Sequence, residues 1–503
     1  MSDLAIVYSR AQKGIDAPLV RVEVHLSAGL PALSIVGLAE TAVKESKDRV
    51  RAAIINSKFD FPQRRITINL SPADLPKEGG RYDLPIAIGI LAASRQVSQD
   101  RLTETEFVGE LSLSGNLHSI SGVLPIAIKS ANNNRVLVVP KENGSEAALI
   151  EDGINKTADN LLQVCAWLNQ MGSLSKARLK PTKSKSKRVD LAEVKGQLHA
   201  KRALEIAAAG NHNLLFIGPP GTGKTMLASR IPTIMPPLTQ SQALETAAIA
   251  SICGRNLDVN NFYIPPFLQV HHTASAVSLV GGGTNPQPGA ISICHFGTLF
   301  LDELPEFSRH VLEVMREPME SGKVTISRAS RQAEFPAKFQ LMAAMNPCPC
   351  GYLGDKEREC VCSQHQIDRY RAKISGPLLD RIDMHVEVSR IPFKELRADS
   401  SNNETSNAIR QRVINAMNVQ RIRNKGKANA HLGNKDMDSI LNIAEDKLIF
   451  LESIVEKLKL SARAYHRILR ISRTIADLDG NQTIEKKHLL EAISYRCLDR
   501  NTG

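Results

Sequence analysis

Gly218-Pro219-Pro220-Gly221-Thr222-Gly223-Lys224-Thr225 constrains this chain more than any other stretch. It satisfies the Walker A pattern G-x-x-x-x-G-K-[ST] at every fixed position. The apolar run Leu214-Leu215-Phe216-Ile217 before it reads as a buried strand, and a helical pattern begins near Lys224. Strand, glycine loop and helix in that order predict an α/β unit that closes backbone N–H groups around phosphate oxygens. Residues 218–225 are the expected nucleotide-binding loop. Lys224 reaches the β- and γ-phosphates, and the Thr225 hydroxyl ligates Mg²⁺. The cofactors expected on this ground are ATP and Mg²⁺.

A second motif completes the first. Thr298-Leu299-Phe300-Leu301-Asp302-Glu303 is an apolar strand ending in two acids, the Walker B arrangement. Asp302 is expected to help hold Mg²⁺, and Glu303 to orient and activate the attacking water. The strand Phe339–Met345 ends in Asn346. A polar residue there resembles the sensor 1 residue of AAA+ ATPases, whose amide holds the lytic water.

Length and composition set the frame. A chain of 503 residues is expected to hold about three domains. Its start, Met1-Ser2-Asp3-Leu4-Ala5, has no basic region before a long apolar stretch, so no signal peptide is expected. The most apolar segment, Leu84 to Ala93, contains a proline and is too short to span a bilayer. A cytoplasmic protein without membrane contact is expected. The net charge of +12 favours an anionic partner, yet ordinary solubilising charge explains it equally well. With aromatics at 4%, a base-stacking platform is poorly supported. A nucleic-acid partner would be held mainly through its phosphates.

Texture divides the chain. Residues 1–170 alternate short strands, such as Arg65–Leu70 and Arg135–Pro140, with helices. Residues 171–189 read as a flexible basic linker, because positions 173–188 hold seven Lys/Arg and no acid. Residues 190–390 form the nucleotide-binding unit. Residues 391–503 read as helical.

Cys348, Cys350, Cys360 and Cys362 are four of the eight cysteines and fall within fifteen residues. Two C-x-C pairs can bring four thiolates around one structural Zn²⁺, with no open position for catalysis. Free buried thiols are the alternative. Between the two acid and glycine motifs, His271–Gly289 contains Gly281-Gly282-Gly283 and two prolines and reads as a mobile loop. The adjacent His271 and His272 are a weak metal signal.

Further segments carry a family resemblance. Gly376-Pro377-Leu378-Leu379-Asp380-Arg381-Ile382-Asp383 resembles the arginine-finger segment of MCM and magnesium-chelatase ATPases. Ser461-Ala462-Arg463-Ala464-Tyr465-His466-Arg467 resembles a sensor 2 region, with Arg463 the matching position and Arg467 one turn away. Lys323-Val324-Thr325-Ile326-Ser327-Arg328-Ala329-Ser330-Arg331 resembles the pre-sensor 1 hairpin of MCM helicases. His271-His272-Thr273-Ala274-Ser275, Leu301-Asp302-Glu303-Leu304-Pro305-Glu306-Phe307 and Asn346-Pro347-Cys348-Pro349-Cys350-Gly351 are together similar to the ComM/YifB family of magnesium-chelatase-like AAA+ ATPases. The resemblance covers nearly the whole chain.

It implies an α/β fold: an AAA+ P-loop core with a helical C-terminal lid, preceded by a Lon-protease-like (ribosomal S5 domain 2-like) α+β domain. It implies that Val194-Lys195-Gly196-Gln197 lines the adenine pocket, with Gly196 in the nucleotide site. It implies that Arg381 acts on a neighbouring subunit's γ-phosphate in a homo-hexamer, and that Arg328, Arg331 and Lys323 face DNA from a pore hairpin. In the amino-terminal domain, Pro76-Lys77-Glu78-Gly79-Gly80 resembles the loop before the Lon serine. Arg81 stands at the serine position and Leu124 at the lysine position, so Ser–Lys proteolysis has no machinery. The expected function is an ATP-driven hexameric DNA helicase or branch-migration motor acting on recombination intermediates in natural transformation. The ATPase subunit of a magnesium chelatase and a protein-remodelling ATPase are the alternatives.

Overall fold

The computed structural model describes residues 3–37, 40–180, 189–255, 257–283, 285–328, 331–355, 357–392, 403–433, 436–437 and 440–498. The chain is mixed α/β and divides into two compact units. One comprises residues 1–184 with 243–262, the other residues 185–242 with 263–503.

The first unit is built on an eight-stranded sheet. Its order is Ser175–Lys176, Ile154–Ala158, Val136–Pro140, Thr105–Phe107, Leu4–Arg10, Leu19–Ser27, Arg65–Ser71 and Ala32–Val36. Alternation drives it: in Leu19–Ser27 the residues Val20, Val22, Val24 and Leu26 are buried, and those between them are not. Helix Asp83–Ala93 is buried along its whole length against this sheet, which is why its sequence is apolar all round.

Two departures from the sequence reading occur here. Ser175–Lys176, read as linker, pairs antiparallel with Thr157 and Lys156 at the sheet edge. The segment 243–262, expected within the nucleotide-binding unit, packs into the first unit. There the Gly122 N–H donates to the Ser251 carbonyl at 3.0 Å, the Ser251 hydroxyl bonds the Glu146 carboxylate, and Ala247 joins Leu124 and Leu149 in an apolar cluster.

The second unit holds a five-stranded sheet. Its order is Phe267–Val270, Thr298–Leu301, Gln340–Met345, Leu214–Ile217 and Met384–Glu387, and every pairing is parallel. The inner strands are buried on both faces, as their continuous apolar runs require. Parallel pairing brings the carboxyl ends of all five strands to one edge, where ligands of open α/β sheets bind. Among the described residues, helices Ser406–Arg423, Glu445–Lys457, Ala462–Leu478 and Lys486–Ser494 follow. Helices Ser406–Arg423 and Ala462–Leu478 pack on helix Leu198–Gly210. Buried Asp477 joins two of these helices, accepting from Arg473 Nε at 3.0 Å and from both Arg423 amino groups at 2.6 and 2.9 Å.

No helix among the described residues is long and apolar enough to cross a membrane.

Candidate active site

The strand ends deliver the site. Leu214–Ile217 runs into the glycine loop, and helix Lys224–Ala228 follows it. Gly221 and Gly223 have φ of +78° and +86°, a left-handed backbone that favours glycine. Gly218 is required for a different reason: a Cβ there would stand 2.1 Å from the Val388 carbonyl oxygen. The loop is therefore seated directly against the end of the neighbouring strand.

Lys224 is nearly buried. Its ammonium donates to the carbonyls of Gly218 at 2.7 Å and Pro219 at 2.9 Å, and to Asn346 Oδ1 at 3.2 Å. Burial pushes its pKa down to about 8, while Asp302 and Glu303 pull the other way. Phosphate oxygens at the loop would add strongly to that pull and fix the charged form. Thr225 Oγ1 donates to Asp302 Oδ2 at 2.7 Å. A hydroxyl and a carboxylate oxygen thus converge as hard donors, which fits the ligand preference of Mg²⁺. The structure brings Lys224, Thr225, Asp302 and Asn346 together at the sheet edge. Gly196 precedes helix Leu198–Gly210, and Gln197 beside it donates to the Ser389 carbonyl at 2.6 Å.

Glu303 has a left-handed backbone, φ +54°, which costs a non-glycine residue about 1–3 kcal/mol and is held only where the surroundings demand it. Its carboxylate meets His272 Nδ1 at 3.1 Å. The parallel register explains the meeting: Val270 pairs with Leu301, so the residues that follow the two strands stand side by side. The His271 and His272 ring centroids are 4.1 Å apart, and the Phe307 ring stands edge-on to His272 with centroids 6.5 Å apart. The sequence offered His271 and His272 only as a weak metal signal; His272 is instead the partner of Glu303.

His271–Gly289, read as a mobile loop, holds helix Ala276–Val280 and a paired turn in which Gly281–Gly282 faces Gln287–Pro288. Gly281 makes the turn possible, since a Cβ there would lie 2.3 Å from the Gln287 carbonyl oxygen.

Arg381 is not at the glycine loop of its own chain. Its guanidinium donates to the Pro377 carbonyl at 2.7 Å and to the Glu320 carboxylate. Arg463 is 70% exposed along its side chain and reaches Asp380 at 2.7 Å. Arg467 is mostly buried against Asp383 at 3.6 Å. Exposure therefore favours Arg463 over Arg467 as the arginine able to reach a ligand. Lys323–Arg328 and Arg331–Pro336 form an antiparallel hairpin with register from Lys323↔Pro336 to Arg328↔Arg331. Lys323 is tied to Glu334 at 2.8 Å, and residues 329–330 at the tip lie outside the described residues.

The four cysteines gather. Their sulfur atoms all lie within 4.8 Å of one another, with Cys348 to Cys350 at 3.4 Å, Cys348 to Cys360 at 3.5 Å and Cys350 to Cys360 at 3.6 Å. A tetrahedral Zn–S shell has sulfur edges of about 3.8 Å, so the donor set fits Zn²⁺. The backbone N–H of Tyr352 leads the causes that hold the Cys350 thiol down near 6. Gly351, inside the cluster, stands against the glycine loop; a Cβ there would lie 2.8 Å from Pro220 Cδ.

In the first unit, Arg81 and Leu124 are both buried. Arg81 donates to Gln12 Oε1 at 3.0 Å and to the Ser121 carbonyl at 3.4 Å.

The family models for the magnesium chelatase subunit ChlI match residues 190–396, the ChlI subunit of Mg-chelatase residues 22–143, and the ChlI C-terminal region residues 403–496. Competence protein ComM of Haemophilus influenzae is 50% identical over 503 residues, covering 99% of this chain and 98% of that protein. The chain belongs to the ComM/YifB family. YifB of Escherichia coli, another member, is 47% identical over 498 residues, covering 99% of this chain and 98% of YifB. The magnesium-chelatase subunit ChlI of Mesostigma viride is more distant, 24% identical over 42% of this chain and 52% of its own length. Family membership implies ATP and Mg²⁺ as cofactors, in agreement with the donors at the sheet edge.

Proposed function

We propose that this chain is an ATP hydrolase that works as a homo-hexameric DNA helicase or branch-migration motor in the cytoplasm, acting on recombination intermediates during natural transformation. The observation that carries the hydrolase reading is the convergence of Lys224, Thr225, Asp302, Glu303 and Asn346 at one sheet edge. In this reading the loop N–H groups and Lys224 grip the β- and γ-phosphates. Thr225 and Asp302 hold Mg²⁺, which neutralises charge on the transferred phosphoryl group. Glu303 orients and deprotonates the attacking water, and Asn346 holds that water against the γ-phosphate. Arg381 completes the site from the neighbouring subunit, with Arg463 as sensor 2. Catalysis then needs the ring.

The DNA reading rests on 50% identity over nearly the full length to a competence protein and on the hairpin 323–336 between the Glu303 and Asn346 strands. Arg328, Arg331 and Lys323 there would contact phosphates. The cysteine cluster would hold one structural Zn²⁺ and stiffen the segment between Asn346 and Arg381.

The test is the ATP turnover of the purified chain with and without forked DNA. A several-fold rise with DNA is expected. A rate that forked and duplex DNA both leave unchanged would refute the motor reading and favour the chelatase-type or protein-remodelling ATPase.

A further inference from the structure

Arg381 is covered rather than presented. Its side chain is 17% exposed, with one amino group on the Pro377 carbonyl and the other on the Glu320 carboxylate. An arginine in that state cannot serve another subunit until it is released.

Glu320 is where a release could be governed. It lies in the last turn of helix Arg316–Ser321, and the strand Lys323–Arg328 begins three residues later. The joint between them is closely bonded. Gly322 takes φ +67° and donates its N–H to the Pro318 carbonyl at 2.9 Å. The Gly322 carbonyl accepts the Ala337 N–H at 2.8 Å, just beyond the second hairpin strand. The Ser321 hydroxyl donates to the Lys323 carbonyl at 2.9 Å. Both strands of the hairpin are thereby fastened to the helix end that carries Glu320. The hairpin itself is a ladder of six residue pairs. The base of the hairpin is thus bonded to the helix end whose carboxylate holds Arg381.

We infer that Glu320 is a positioning residue that parks Arg381 in its own subunit, and that movement of the 323–336 hairpin frees Arg381 for the neighbouring active site. The inference rests on the reading of Arg381 as a finger supplied in trans. It makes the ion pair a brake on turnover in the absence of a hairpin ligand.

Turnover of the full-length assembled chain tests it, with kcat and KM measured separately in Glu320→Gln, Glu320→Asp, Arg381→Ala and the double variant. Glu320→Gln should raise the DNA-free kcat by about two- to fivefold, the range that releasing one exposed ion pair allows. Glu320 itself contacts no nucleotide in this reading, so the change should appear in kcat rather than in KM for ATP. The ratio of DNA-stimulated to DNA-free rate should fall by the same factor. Glu320→Asp keeps the charge and should return the rate toward that of the unsubstituted chain. The double variant should behave as Arg381→Ala alone. A DNA-free kcat for Glu320→Gln at or below that of the unsubstituted chain, in protein with an unchanged melting temperature, overturns the inference. Full turnover by Arg381→Ala would overturn the finger reading itself and the inference with it. Loss of turnover in Arg381→Ala with no effect of Glu320→Gln would remove only the brake.

Discussion

Both units place a lysine and two glycines at the start of a helix, and only in one of them does the lysine face a side-chain amide with two acids nearby. In the second unit, Gly221, Gly223 and Lys224 lead into helix Lys224–Ala228, and the lysine faces Asn346 with Asp302 and Glu303 nearby. In the first unit, Lys77, Gly79 and Gly80 lead into helix Asp83–Ala93. There Lys77 is buried and bonded to the Pro72 carbonyl, and Glu110 crowds Gly80 so closely that a Cβ would lie 2.6 Å from its side chain. Asp83 accepts from Arg49 at 2.9 Å and from the Leu111 N–H at 3.2 Å, and burial nonetheless lifts its pKa to about 6. Residue types alone do not make a phosphate site. What separates the two loops is the set of neighbours: Lys224 stands with Asn346, Thr225 and Asp302 at one sheet edge, whereas Lys77 is bonded to the Pro72 carbonyl and Glu110 lies against Gly80.

Replacing each lysine by alanine tests that contrast most strongly. Lys224→Ala should cost ATP affinity about 30-fold or more, from the ~2 kcal/mol or more that truncating one partner of a buried charge pair removes. Lys77→Ala should leave ATP affinity as it is and cost about 1–3 kcal/mol of stability, from the donor lost to Pro72. Fluorescent-nucleotide titration and thermal melting of both variants read the two effects. ATP affinity lost in Lys77→Ala would make the first-unit loop a second nucleotide site.

The cysteine cluster belongs with the open site, because Gly351 abuts Pro220 of the glycine loop. Elemental analysis should find about one Zn per chain, the stoichiometry of a four-thiolate site. Chelation should lower the melting temperature by roughly 5 °C or more, since a metal that binds only the folded chain adds its binding free energy to stability. Metal content near zero in protein prepared without chelator would leave the four cysteines as free thiols.

The smallest effect belongs to the hairpin. Arg328→Ala should weaken binding to DNAs of different sequence alike, because a phosphate carries no base information. It should also flatten the log–log salt dependence of binding by about one unit. Binding that changes for one sequence only would make Arg328 a base-reading residue.

How much of this was legible beforehand follows from the range of each interaction. The glycine loop, the paired acids, Asn346 and the four cysteines are written into local spacing, because phosphate and metal chemistry fixes residue types at fixed offsets. The meeting of Glu303 with His272 depends on a parallel strand register, and the meeting of Arg381 with Glu320 joins residues 61 apart. Neither leaves a local signal. The membership of 243–262 in the first unit turns on Ser251 meeting Glu146, 105 residues away. Ser175–Lys176 is too short for any period, and its basic surroundings read as linker. Gly281–Gly282 read as loop because glycine signals freedom in sequence, whereas here it permits close backbone approach.

The most direct test of the account is movement of a mobile three- or four-strand DNA junction by the purified protein, followed by labelled-strand exchange with ATP, with ADP, and with the Glu303→Gln variant. General-base loss should lower turnover by about 10²–10⁴-fold in that variant. The unsubstituted chain should move the junction with ATP, and no movement is expected with ADP or with Glu303→Gln. Normal ATP turnover with a stationary junction would contradict this.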